Sequence, residues 1–195
     1  MTNTTKTAEK PKRRSPITRA EGEKRLIEAA EALIKQKPFS EVGVREIAEK
    51  ADVNHGFVHT WFGSKNDLFL AVVLKLANEL AADVEKATPG QPALNAMDPK
   101  VILLVRLLMW LDLEGVNIRA AIGDLPVISA IADRLIHSDN IDPSIARVVA
   151  LQAVTIGIGT ATFARLLGTE DQRDLSQVFV LWRHIIGLLA KHPPA

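Results

Sequence analysis

The 195-residue sequence has no cysteine and no tyrosine, and only 5% of it is aromatic. Without thiols there is no disulfide, no thiolate metal site and no thiol nucleophile. Purely apolar runs of about 18 residues, the length that begins to span a bilayer, are missing as well. The nearest approach, residues 148–164, is interrupted by Gln152, three threonines and two glycines and reads as a buried helix. The first residues lack the apolar stretch of a signal peptide, so a cytoplasmic location with no membrane partner is expected. No alternating segment of strand length and no internal repeat occurs. Paired carboxylates, a nucleophile motif and a phosphate loop are missing too, which argues against an enzyme. "GIGTA" has part of a dinucleotide fingerprint, but no strand precedes it and the third glycine is lacking. No cofactor or metal is expected.

What remains is 47% apolar and 24% charged, the balance of a soluble globular protein with a sizeable core. The net charge of +1 is unevenly spread. Through Lys65 there are 13 Lys+Arg against 9 Asp+Glu, so the excess of positive charge lies at the front. The densest basic run is "KPKRRSPITR", residues 10–19, a flexible arm suited to phosphates or, on the plainer reading, a solubilising tail.

The periodic segments all read as helix. "AEGEKRLIEAAEALIKQ" sets Leu26, Ile27, Ala30, Leu33 and Ile34 on one stripe and stops before Pro38. "VREIAEKA" is entered through Gly43, with Glu46 at capping-box spacing, so only the glutamate half of that box exists. "NHGFVHTWF" follows after a short turn, and Ser64 with Asp67 caps a fourth helix. After the proline-rich "ATPGQPALNAMDP" loop, helices open at Asp98-Pro99, near Pro126 and at Asp142-Pro143. Gly168 suits a C-terminal cap, and Asp174 with Gln177 suits the entry to the last helix. The fold class is all-α.

His55 and His59 stand four residues apart, the spacing at which a zinc-protease helix holds its metal. In such a helix a glutamate acting as general base follows the first histidine. Here that residue is Gly56, and no third ligand is indicated, so a zinc site fits poorly. The two short helices joined by "ADV" have helix-turn-helix dimensions instead. Ile47, Ala48, Val53, Val58 and Phe62 would pack the pair together. That leaves Asn54, His55, Phe57, His59, Thr60 and Trp61 variously exposed, a face able to meet base edges and thymine methyls.

The stretch "GVREIAEKADVNHGFVHTWFGSKNDLFLAVV" resembles the DNA-binding region of the TetR family of transcriptional regulators, the likeness running from Leu26 to Val73. The resemblance implies an N-terminal three-helix helix-turn-helix domain followed by a C-terminal helical ligand-binding and dimerisation domain. The expected division is a basic arm over 1–20, the DNA-binding domain over 21–69 with its motif at 43–62, and the effector and dimer domain over 70–195. It implies contacts to double-stranded DNA from Arg45, Asn54, His55, Gly56, Phe57, His59, Thr60, Trp61 and Lys65. Arg45 would reach a base or phosphate, or else pair with Glu41 or Glu49. Phe57 and Trp61 could face the groove or fill the core. Lys65, beside a helix N-terminus, is well placed for a phosphate. Gly43 and Val44 stand where members have a hydroxyl residue, Asp52 where they have a turn glycine, His59 where they have tyrosine, and Phe57 where they have a small or polar residue. The operator therefore does not transfer.

In the remainder, Arg106 and Trp110 interrupt an apolar helix, and Thr155, Thr160, Thr162, Phe163 and Arg165 mark the next long one. Arg106, Trp110, Thr155, Thr162 and Phe163 are candidates for an effector pocket, with a surface Arg106 as the alternative. The last two long helices are apolar over more than one stripe, which a second copy would cover; family members dimerise there. The expected function is that of a repressor that binds a near-palindromic operator as a homodimer. A small, largely hydrophobic effector of unknown identity would release it. An activator, or a ligand-independent DNA-binding protein of the same fold, is the alternative.

Overall fold

The structure, a computed structural model, describes residues 17–88, 94–167 and 172–191. Helix α1 (Arg19–Ile34) opens at Thr18, whose Oγ1 accepts from the Glu21 amide at 3.3 Å. Its buried stripe is Leu26, Ala29, Ala30, Leu33 and Ile34, with Ile27 only half-buried at its edge. A 3-10 turn, Phe39–Glu41, then leads to α2 (Val44–Ala51) and α3 (Gly56–Trp61). As the half-box predicts, Gly43 makes no side-chain cap, while its amide hydrogen-bonds Glu46.

Asp52 ends α2 in the left-handed conformation, φ 56° and ψ 42°, where glycine is the unstrained choice. The backbone closes around it, the Val53 amide donating to Ala48 O at 2.9 Å. Between α3 and α4 the chain turns at Gly63, φ 93°, which is a glycine requirement in earnest.

Helix α4 (Lys65–Lys86) starts at Ser64, whose Oγ accepts from the Asp67 amide at 3.1 Å and donates to Asp67 Oδ2 at 2.6 Å. It runs unbroken past residue 69, burying Leu68, Phe69, Val72, Val73, Leu76, Ala77, Leu80 and Val84 along its length. One rod therefore serves both ends of the molecule, packing on α1 at the front and on α5 and α7 behind. Lys75 ties it to α1, donating to Glu31 at 2.6 Å and to Glu79 at 2.6 Å. At the other end Arg134 donates to Ala87 O at 2.5 Å and Thr88 O at 2.8 Å, satisfying carbonyls that the helix end leaves open.

Helix α5 (Pro99–Leu113) is capped by Asp98, which accepts from the Lys100 amide at 2.7 Å. A short α6 (Ile118–Ile122), not foreseen in the sequence, precedes α7 (Pro126–Asp139), α8 (Pro143–Leu167) and α9 (Gln172–Lys191). Asp142 caps α8 by accepting from the Ser144 amide at 2.8 Å. The cap expected at Gly168 lies outside the described residues. The last helix departs from expectation: it is already helical at Gln172, so Asp174 lies inside the first turn and is not its cap. All described secondary structure is helical.

The reading of residues 148–164 as a buried helix is not met within the single chain. Ala146, Val149 and Ala150 are buried, but Val148 is 66% exposed, and Leu151, Ile156, Ile158 and Phe163 are exposed too. Pro143–Phe163 is long and apolar enough to cross a membrane by length and composition, with 17% of that window buried. On α9, Val178, Val180, Leu181, Ile185 and Leu188 are likewise exposed, and Ile186 is the one buried residue among those described.

Candidate nucleic-acid interface

The short helix α3 is built from three pairs of residues four apart, which places each pair on its own stripe. Val58 is sealed from solvent and Phe62 half-buried, joining the α3 segment to the core that also holds Ile47, Ala48, Leu68 and Phe69. His55 and His59 form a second, exposed pair. Phe57 and Trp61 form the third, their rings stacked with centroids 4.3 Å apart and planes 2° apart. The sequence left Phe57 and Trp61 open between groove and core. Phe57 is 38% exposed and Trp61 half-buried, so neither is wholly one or the other.

The entry to α3 is held by Asn54, whose Oδ1 accepts from the Gly56 amide at 2.8 Å, an Asx turn that substitutes for a hydroxyl cap. His59 Nδ1 lies 3.2 Å from Gly63 O, and Thr60 donates its hydroxyl to Gly56 O at 3.0 Å. These bonds leave His55, Gly56, His59 and Thr60 on one exposed polar face with Asn54 at its start. Arg45 on α2 is exposed as well, and it makes no ion pair among the described residues, with Glu41, Glu49 or any other acid. The acid on that helix that does pair is Glu46, with Lys37; this contact holds its carboxyl below the ordinary range.

Lys65 occupies a different place. Its ammonium points inward, 3.4 Å from Val42 O, and lies over the rings of Phe69 at 5.6 Å and Trp110 at 5.4 Å. Trp110 itself packs edge-on against Phe39 and Phe69, with centroids 5.9 and 5.5 Å away. Arg106, exposed, lies over the Phe39 ring at 5.7 Å. So the structure brings Arg106 and Trp110, two of the candidate effector residues, to the seam where α5 meets the front helices. The other three lie along α8. Thr155 is exposed and donates to its own helix at Leu151 O, while Thr162 Oγ1 sits 3.8 Å from Met109 Sδ, with Phe163 exposed beside it. Arg106 and Trp110 do not share a site with Thr155.

The sequence model for "Bacterial regulatory proteins, tetR family" matches residues 26–72, from the core of α1 to the first turns of α4. Residues 26–72 thus carry the pattern of the TetR family's regulatory region, and the relatives matched over the longer chain are transcriptional regulators. The chain is 27% identical over 163 residues, 84% of each chain, to the HTH-type transcriptional repressor Rv3405c of Mycobacterium tuberculosis. The fold is shared with a transcriptional regulator of Rhodococcus sp. Rha1, at a TM-score of 0.61 and 19% identity, covering 88% of this chain and 99% of that one. It is shared too with the multidrug binding protein EbrR in complex with imidazole, at a TM-score of 0.56 and 21% identity, covering 93% and 99%.

One residue packed against this face escaped the sequence reading. Gly22, in the first turns of α1, lies directly under the Trp61 indole. A glycine inside a strongly helical segment costs about 1 kcal/mol relative to alanine, and that cost was the available signal.

Proposed function

We propose that this chain is a repressor that binds a near-palindromic operator as a homodimer and lets go when a small, largely hydrophobic effector binds. The observation that carries the DNA half is α3, where Val58 anchors the helix while Asn54, His55, Gly56, His59 and Thr60 present a continuous polar face. In this reading those five read base edges, and Arg45 adds a base or phosphate contact. Phe57 and Trp61 border the groove. Lys65 and the basic arm supply phosphate contacts and hence salt-dependent affinity.

The dimer would form through α8 and α9, whose exposed apolar side chains have no cover among the described residues of one chain. Two-fold symmetry would then set two α3 helices about one DNA turn, roughly 34 Å, apart. We assign residues 21–69 to DNA binding and 70–195 to the effector and dimer functions, with α4 as the shared rod. A cytoplasmic location follows from that role.

The effector would sit on the α8 side of α5, near Met109, Thr162 and Phe163, with Thr155 further along. Met109 and Trp110 are neighbours in sequence but face different partners, so a shift of α5 would be felt by Lys65 through Trp110. An effector works only by its differential affinity for the two arrangements.

The test is DNA binding across a salt series, using the duplex upstream of the protein's own gene and a random duplex. Footprinting of a near-palindrome is expected, lost in His55→Ala. In Lys65→Ala the slope of log affinity against log salt should fall by about 0.9 on both duplexes. No binding to either duplex at low salt would end the proposal.

A further inference from the structure

We propose that Trp61 and Gly22 form a notch that fixes the rotation of the recognition helix, making Trp61 a positioning residue and Gly22 its obligatory socket. This rests on the DNA-reading assignment above and goes beyond it. Three observations carry it. A Cβ built on Gly22 would fall on Cη2 and Cζ3 of the Trp61 indole, far inside the roughly 3.5 Å of normal carbon contact. The same Cβ position is 3.7 Å from Ile17 Cδ1, so the notch has a second wall. The indole is also covered by the Phe57 ring, stacked at 4.3 Å and nearly parallel.

Gly22 does not serve the backbone. It lies within α1 with no positive φ, a place where alanine is the better helix former. What it contributes is space. With its ring edge in α1 and one face against Phe57, Trp61 has little surface left for a base. Val58 in the core and Trp61 in the notch then pin α3 at two points on different stripes. Rotation of a short helix about its own axis, which a single buried valine would permit, is thereby blocked. The polar face of His55, His59 and Thr60 is aimed by these two pins. Ile17 lies inside the basic run and Gly22 just after its end at Arg19, so the same notch brings the end of that run beside the recognition helix.

A loose aim costs sequence discrimination before it costs phosphate attraction, since base contacts are directional and charge contacts are not. The experiment uses the full chain and two probes: a duplex enriched by the wild-type protein from a randomised library, and a random duplex of equal length. Gly22→Ala should weaken binding to the enriched duplex about tenfold or more, the scale of one lost base contact. It should bind the random duplex within about twofold of wild type with an unchanged salt slope. Its helix content should stay near wild type because alanine suits α1, and its melting should fall only modestly as the indole shifts. In Gly22→Ala/Trp61→Phe the smaller ring clears the new methyl group, and much of the lost discrimination should return. If Gly22→Ala keeps the wild-type ratio between the duplexes, the notch proposal is wrong. It is equally wrong if both duplexes are lost alike and the double variant restores neither. If the wild-type protein enriches no sequence at all, the DNA-reading assignment itself falls.

Discussion

In α2 and α3, Ile47, Ala48 and Val58 are closed off by their own chain to 1% exposure or less, whereas on α8 and α9 Val148, Val180 and Leu181 stand 66%, 66% and 61% open. Both regions are rich in apolar residues, so composition does not separate them. What separates them is whether neighbouring elements supply a cover. The front helices gather around α1, which packs on α2, α3 and α4, so a few side chains close a core. The last helices are long, and each carries apolar side chains left exposed among the described residues. Fully covering a side chain such as Leu181 is worth about 1.5–3 kcal/mol. Several of them on one surface make a strong drive to associate.

The sharpest way to break the contrast is to charge the uncovered face. By two-fold symmetry Leu181→Asp enters an α8–α9 interface twice, and each carboxylate would be buried without a partner. We expect the assembled mass by light scattering to fall to that of one chain, with helix content kept. Affinity for a two-half-site duplex should fall about a hundredfold or more, because the second half-site no longer adds. An unchanged mass would mean that this face is covered by something other than a second copy.

The matching cut at the front is Val58→Ala. Val58 is wholly buried, and removing two methyl groups from a closed site costs about 2 kcal/mol through lost burial and the cavity left behind. Urea denaturation should show that loss with no change in mass. If mass and stability fall together, the front helices are not the self-sufficient unit drawn here.

The same contrast explains which parts of the molecule could be read from the sequence. Caps are local, and Ser64, Asp98 and Asp142 accept from the backbone amides that their spacing promises. The core of the helix-turn-helix was legible for a similar reason, since Ile47, Ala48, Val53 and Val58 repeat over a dozen residues and all end up buried. Contacts between distant segments left no comparable mark. The resemblance implied a phosphate contact for Lys65 and its helix N-terminus suits one, yet besides Phe69 the ammonium lies over the ring of Trp110, 45 positions away in the chain. Gly22 was passed over because the indole that needs its space comes from another helix. Residues 148–164 were expected to be buried because hydropathy records the need for cover without saying whether the same chain provides it.

A smaller effect is expected at Glu31, 8% exposed and the one charged residue among the buried ones of the described residues. Burial pushes its carboxyl up, but hydrogen bonds from Lys35 and Lys75 outweigh this and hold it below the ordinary 4.5. A carboxyl lowered on folding adds stability that is complete above the unfolded value and is lost as pH falls through the folded one. The front core should therefore weaken as the solution is acidified below about pH 4.5. Glu31→Gln should cost about 1–2 kcal/mol at neutral pH and flatten that part of the acid dependence. A parallel acid profile in the variant would assign the loss to other groups.

The finest expected effect sits on the seam between the two regions. The Lys65 ammonium is held over Phe69 and Trp110, and a partly exposed cation–π contact is worth about 0.5–1 kcal/mol. That contact must be given up if Lys65 swings out to a phosphate, so it opposes DNA binding in the free protein. Trp110→Phe keeps a ring against Phe39 but offers the ammonium a weaker face. Affinity for any duplex should therefore rise about twofold, which is roughly 0.4 kcal/mol, at an unchanged salt slope. In a Lys65→Ala background the same substitution should give no gain, because nothing is left to release. A gain that persists without Lys65 would mean that Trp110 acts on the front helices through packing alone.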